Sequence, residues 1–342
     1  GVQTCALPIL FFSKKQVVPP YLLLAALSYI LYKIFKKNVK LIKEVNAKGL
    51  SYTLRLNKFA DMTQEEYLTY LTKPAPAPEA EKRFNNRADY VNDFIISDEE
   101  DSEESNPYWS QYLSKAKNQG SCHASYAFST IAAIQANYYK SFSSSLDLSE
   151  QYAIDCISGN DCTTGSSATT AEFIKENGIP LEADYIYESG LSGKKGECKS
   201  SVKKVKVIES VEMGEGKHEF KRLIKKGVLK VSIDASSDTF KFYGGGTAIL
   251  TKPDCSQANH DMTAFGTKKE DDQEKVLLKN DSVGPDWGDN GNITLEVDDS
   301  TKSCLVHKKS IFIHVKEIVE PGPNPDPQPE PTPENPCVLV KN

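Results

Sequence analysis

The sequence predicts an α+β protein of two lobes, a helical lobe and then an antiparallel sheet or small barrel, preceded by a separate helical segment. Three observations carry this. Helical patterning in the body is confined to residues before Gly178. Short β-rich runs bounded by Gly, Asp and Asn follow Val205. Six of the eight cysteines fall between 122 and 304, which ties both patterns into one cross-linked body. With 342 residues, 39% of them hydrophobic and 26% charged, the chain can bury one large or two modest domains.

The first nine residues, "GVQTCALPI", start without Met and read as vector or adapter sequence, so residues 1–25 are set aside as artefact or signal remnant. The run "YLLLAALSYILY" from Tyr21 to Tyr32 is shorter than the roughly 20 residues a membrane-spanning helix needs, so no span is expected. It reads as a signal-peptide core or as the first apolar helix of the N-terminal segment. From Ser28 to Asn46, Leu31, Phe35, Ile42 and Val45 share one helical face with lysines opposite, which predicts an amphipathic helix. Gly49 ends it. "SYTLRLNKFADMT" alternates like a short strand, and Asp61, Thr63, Glu65 and Glu66 open a further helix. "KPAPAP" from Lys73 is an extended linker, and "SDEEDSEE" from Ser97, with six carboxylates in eight residues, reads as disordered and protease-accessible.

A folded body begins near Asn106. Thr130 to Lys140 is helical in pattern, "SLDLSEQYAIDC" adds a capped second helix, and "TTAEFIKENGI" a third that ends at Gly178. The strands are "KVIESVEM", "LKVSIDA", "TAIL", "KVLLKN", "NITLEV" and "SIFIHV". After Glu320, "PGPNPDPQPEPTPENP" is a polyproline-type extension with no core of its own. The expected organisation is therefore 26–73 as an N-terminal helical unit, 74–105 as a linker with a processing site, 106–318 as the body and 319–342 as the extension.

The formal net charge of −6 is spread along the chain and builds no basic stripe, so nucleic acid is not an expected partner. No Cys-x2-Cys pair occurs, and the single His123 beside Cys122 supplies no second pair, so disulfides are expected and a metal or other cofactor is not. Disulfides imply an oxidising compartment: the secretory pathway, with an extracellular or lysosomal or vacuolar destination. A monomer is expected.

The chemistry centres on "NQGSCHASYAFS" from Asn118 to Ser129. Further along stand "SEQYAIDC", "VSIDASSDTFKFYGGG", "NH" at Asn259 and His260, and "KN" at Lys279 and Asn280 leading to "GPDWGDNG". His260 lies 135 positions and Asn280 155 positions beyond Ser125. In this ordered set the chain resembles the papain-like cysteine peptidases, the group that includes cathepsins, from about Phe35 to Val315. The family signature Cys-Gly-[Ser/Ala]-Cys-[Trp/Tyr] stands here as Cys122, His123, Ala124, Ser125 and Tyr126, with serine in the nucleophile's place.

The resemblance implies a papain-like two-lobe fold with Ser125, His260, Asn280 and Gln119 at the positions of nucleophile, base, orienter and oxyanion donor. It places His123, Thr164, Gly165 and Trp287 where substrate binds, and implies the disulfides Cys122 with Cys162, Cys156 with Cys198, and Cys255 with Cys304. Spacing alone leaves about fifteen pairings for six cysteines. Phe35, Asn38, Ile42 and Asn46, and then Asn57, Phe59 and Asp61, resemble the two motifs of the cathepsin-type inhibitory propeptide; Leu27 and Leu31 depart from the first.

Ser125 cannot rest as an anion as a cysteine beside imidazolium does. His123 replaces a glycine, Asp261 a small residue, and Thr164 one of two glycines, while "NDSVG" from Asn280 lacks the family's tryptophan. The reading is a papain-like pseudo-peptidase that binds a peptide or protein ligand, or its own propeptide, in the cleft. The alternative is a weak hydrolase built on Ser125, His260 and Asn280. "ASYAFS" also resembles the silicateins, a structural class in which serine likewise replaces the cysteine. Asn280 is expected to be buried, which leaves Asn292 as the plausible glycosylation triplet. His218, His307 and His314 show no partner pattern and read as surface or strand residues.

Overall fold

The computed structural model describes residues 20–71, 73–74, 107–250, 257–297 and 305–318. The first nineteen residues, the acidic run from Ser97, Asn106, the Cys255 and Cys304 pair, Cys337 and the Pro-rich extension lie outside them. Helix α1 spans Pro20–Asn46 and so begins well before Ser28, with proline at a first-turn position where its missing N–H costs nothing. Only its second half packs as the amphipathic pattern predicts. Ile42 is buried and Val45 half-buried, whereas Leu31 and Phe35 are exposed because the body does not reach them.

Asn38 and Asn46 fold the N-terminal segment back on itself. Asn38 Nδ2 donates to the carbonyls of Ala60 at 2.8 Å and Met62 at 3.0 Å. Asn46 exchanges two hydrogen bonds with the backbone of Leu54, within strand β1 (Tyr52–Leu54). Helix α2 (Gln64–Tyr70) starts with a complete capping box: Thr63 Oγ1 accepts from the Glu66 N–H, and Glu66 returns a bond to the Thr63 N–H. Strand β2 (Lys73–Pro74) follows.

The helical lobe is built on α3 (Ser125–Phe142), longer at both ends than its pattern suggests. Helix α4 (Glu150–Asp155) is capped by Ser149, and α5 (Ser167–Asn177) is capped by Ser166 and ends at Gly178, which takes φ +76°. Strand β3 (Thr164–Gly165) and the short helix α6 (Ser189–Ser192) complete it. Cys122–Cys162 and Cys156–Cys198 cross-link the lobe.

The sheet lobe comprises β4 (Ile208–Gly214), β5 (Leu229–Ile233), β6 (Tyr243–Ala248), β7 (His260–Glu270), β8 (Gln273–Lys279), β9 (Asn292–Val297) and β10 (Ser310–Val315). With β1 they form one eight-stranded sheet in the order β1-β6-β9-β8-β7-β5-β10-β4. Three expectations change here. The sheet is mixed, because β6 and β9 run parallel. Helices α7 (Gly216–Ile224) and α8 (Asp238–Lys241) interrupt the strands, so helices do not simply precede them. The longest strand, β7, was not anticipated, because it opens on the polar pair His260 and Asp261, ends in Lys268, Lys269 and Glu270, and bulges near Gly266.

Two cores result. One surrounds α3, with Ala127, Ile131, Ile134, Tyr152 and Ile174 against Val207 and Ile313. The other joins both parts of the chain: Ile42, Leu54, Phe59, Tyr67 and Tyr70 pack with Phe220, Val231, Phe240 and Leu295. Strand β1 can approach β6 because residue 246 is glycine; a Cβ there would stand 2.4 Å from the Ser51 carbonyl oxygen.

Asn38→Ala leaves the buried Ala60 carbonyl without its donor and removes one of the two donors to the Met62 carbonyl, and is expected to weaken docking of the N-terminal segment by about 1–3 kcal/mol. Limited proteolysis checks this: residues 20–71 should be cut faster while the body's unfolding midpoint moves little.

Candidate functional site

Strand β7 delivers His260. It pairs antiparallel with β5, placing His260 opposite Ile233, and with β8, placing Thr263 opposite Lys279. That register brings the side chain just beyond β8 to the imidazole, and Asn280 Oδ1 lies 2.8 Å from His260 Nε2. An acceptor oxygen at that distance puts the ring proton on Nε2. The other nitrogen, Nδ1, is buried and meets no hydrogen-bond partner among the described residues. Burial holds the imidazole below its usual range, with Lys58 acting in the same direction; Asn280 and Asp261 oppose them.

Ser125 is the first residue of α3 and fully buried. The backbone N–H of Asp261 donates to its Oγ at 3.2 Å, so consecutive residues of β7 touch both Asn280 and Ser125. Asp261 is paired through its side chain. Its carboxylate takes Lys230 Nζ at 2.7 Å, Ser232 Oγ at 2.6 Å and Ser167 Oγ at 3.4 Å. Asp281 is likewise held by Lys279 at 3.1 Å and by Thr263 at 3.0 Å. The carboxylates that neighbour His260 and Asn280 in sequence are thus both engaged by lysines, and the group holding the imidazole is an amide.

Trp287, expected where substrate binds, is buried in the core that the N-terminal segment shares. It is 1% exposed, packs at 4.7 Å against Phe240 and donates Nε1–H to the Phe240 carbonyl at 2.9 Å. Phe240 in turn sets its edge against His260 with ring centroids 5.8 Å apart. Phe240 therefore covers one side of the imidazole, and nothing in the local pattern of "SDTFKF" marked it out.

The remaining candidates meet the N-terminal segment. Gln119 Nε2 donates to the Tyr70 carbonyl at 3.4 Å. The Tyr70 ring lies 5.5 Å from that of His123, and its hydroxyl accepts from Lys58 Nζ at 2.7 Å, which also reaches Asn118 Oδ1 at 3.0 Å. Burial lowers Lys58 to about 8 and lowers His123 as well. Thr164 and Gly165 pair in parallel with Lys73 and Pro74. Gly165 must lack a side chain, since a Cβ would stand 2.2 Å from the Tyr126 ring. Sequence reading missed Lys58, Tyr70 and Lys230, whose roles depend on contacts across the fold.

Two other histidines find partners that their sequence context did not reveal. His314 Nε2 lies 3.0 Å from Glu212, and His307 is buried with its ring 4.6 Å from Phe220; His218 stays exposed beside Glu219. Among the described residues no His, Cys, Asp and Glu group could hold a metal ion.

Residues 101–314 match the family model for the papain family cysteine proteases, and residues 30–67 match that of the cathepsin propeptide inhibitor domain. A thiol protease aleurain-like protein of Arabidopsis thaliana is 33% identical over 277 residues, covering 78% of this chain and 73% of the relative. Pro-cathepsin H of Medicago truncatula is 32% identical over 279 residues, covering 78% and 75%. Among solved structures, a recombinant stem bromelain precursor superposes with a TM-score of 0.68 at 25% identity, covering 85% of this chain and 92% of that one. Digestive procathepsin L 3 of Tenebrio molitor gives 0.66 at 25%, covering 88% and 94%. The fold, the geometry and these likenesses agree, and the chain belongs to the papain family of cysteine proteases, with a cathepsin propeptide inhibitor domain ahead of its protease domain.

Proposed function

We propose that Ser125 stands in the family's nucleophile position, with His260, Asn280 and Gln119 as base, orienter and oxyanion donor, and that the protein is a peptide-binding pseudo-peptidase. The observation that carries this reading is the amide behind the imidazole. A cysteine beside imidazolium can be drawn from about 8.5 to about 3.5 and attack as a thiolate; a serine must give up its proton during attack. Serine peptidases support that transfer with a carboxylate behind the histidine. Here Asn280 supplies a neutral oxygen, and Asp261 and Asp281 are tied to lysines. Oxygen also sits closer to Cβ than sulfur, and a misplacement of about 1 Å costs on the order of a hundredfold.

The ligand of this form is the chain's own propeptide, through Tyr70, Lys73 and Pro74; after its removal, a peptide or protein segment takes the same groove along Thr164 and Gly165. The two disulfides fit an oxidising compartment on the secretory route, extracellular or vacuolar. A second reading, a weak serine hydrolase, draws on one observation: His260 is held neutral with Nδ1 available to accept a proton.

One assay separates the two readings. Protein freed of its propeptide is treated with a fluorophosphonate and given peptide substrates. Neither labelling of Ser125 nor turnover above the His260→Ala background is expected, and both together would establish the hydrolase.

Ser125→Cys should restore a thiolate, because His260 and Asn280 are already in place. In protein freed of its propeptide, iodoacetamide is expected to alkylate it near pH 6.5 faster than free cysteine, while peptide turnover stays low because His123, Asp261, Thr164 and the loss of the tryptophan remain.

His123 gives a pH dependence. Burial lowers its value in the docked state below the ordinary 6.5, so that state favours the neutral ring. The contribution to docking is present above pH 6.5 and is lost as pH falls below it. Proteolysis of the propeptide in the intact chain should accelerate between pH 7.5 and 5, and His123→Gln should flatten that rise.

A further inference from the structure

The first half of α1 lies outside both cores. From Leu24 to Lys33 every residue is exposed, including Leu24 at 64%, Ile30 at 53% and Tyr32 at 59%. Leu24, Ala25, Ala26, Leu27, Ile30 and Leu31 surround the helix axis and do not form a single stripe. Immediately below them stand Lys33, Lys36, Lys37, Lys40 and Lys43, all exposed, against the lone carboxylate of Glu44, which pairs with Lys40 at 3.7 Å.

We propose that this apolar shaft inserts into one leaflet of an anionic lipid surface, with the lysine collar at the headgroups. A protein groove covers one face of a helix, whereas lipid covers its whole circumference, and whole-circumference exposure is what this stretch presents. The length fits a dip, not a crossing. The twelve helical residues from Tyr21 to Tyr32 rise roughly 18 Å, well short of a hydrocarbon core of about 30 Å. Among the described residues no helix is long and apolar enough to cross a membrane. Tyr29 and Tyr32 fall at the boundary between shaft and collar, where amphipathic rings sit at a lipid interface.

The chain's overall charge of −6 does not oppose this. Charges more than about 8 Å away are screened at physiological ionic strength, so the local lysines decide the attraction. Seating the shaft also leaves the propeptide docked, since Asn38, Ile42 and Val45 do the docking further along the same helix.

The test is cosedimentation of the intact chain with vesicles of phosphatidylcholine alone and of phosphatidylcholine mixed with phosphatidylserine. Binding is expected to require phosphatidylserine and to fall with added salt. Each lysine near such a surface contributes about fivefold, so Lys36→Glu with Lys37→Glu should weaken binding by about 25-fold or more. Ile30→Asp with Leu31→Asp should abolish it. Both pairs are exposed, and circular dichroism confirms that the variants fold. The proposal is overturned if the mixed vesicles capture nothing, if binding is indifferent to lipid charge, or if Ile30→Asp with Leu31→Asp leaves it intact. It is also overturned if gel filtration shows a dimer that this pair dissolves while vesicles stay bare, which would assign the shaft to a second copy of the chain.

Discussion

A hydrogen bond of 2.8 Å joins His260 to Asn280 because β7 is clamped between β5 and β8 in one register. In a strand, side chains alternate between faces, so a slip of one residue would carry His260 to the opposite side of the sheet. The same strand reaches the other lobe through the Asp261 N–H on Ser125 Oγ. Lobe arrangement, imidazole orientation and the setting of the hydroxyl are therefore consequences of a single ladder. Phe240, braced by Trp287, then closes one side of the ring against water.

The propeptide is bound by shared core as much as by polar contacts. Phe59, Tyr67 and Tyr70 belong to the same apolar cluster as the sheet lobe, and β1 extends the lobe's sheet at its edge. Polar groups fix the register of this packing. Lys241, itself buried, donates to the Met62 carbonyl at 2.9 Å, Asn57 Nδ2 donates to the Lys241 carbonyl at 2.8 Å, and Tyr67 donates to Ala235 O at 2.9 Å. A segment held this way sets Tyr70 against Gln119 and His123, and removing it exposes apolar surface on both sides.

Charge placement decides what the site can do. Lys230 with Asp261 and Lys279 with Asp281 are ion pairs in the interior, where separating either partner would strand a charge. Both pairs draw a carboxylate towards a lysine, leaving the imidazole to the amide of Asn280.

Much of this was legible in the sequence because it is local. Thr63 and Glu66 open one helix, Ser149 caps another, Gly178 ends a third, and the ordered run from Gln119 to Asn280 identifies the family. What was not legible depends on residues far apart in the chain. Strand β7 hides behind polar ends and is a strand because β5 and β8 flank it. Trp287 is buried because Phe240 and Tyr243 meet it, and Asp261 is neutralised by a lysine thirty-one positions earlier. By itself the sequence determined the fold class, the family and the atom at position 125. Tertiary structure decided which charges are paired, which rings are covered and which side chains the N-terminal segment meets, because burial and ion pairing depend on through-space neighbours that short-range patterns do not encode.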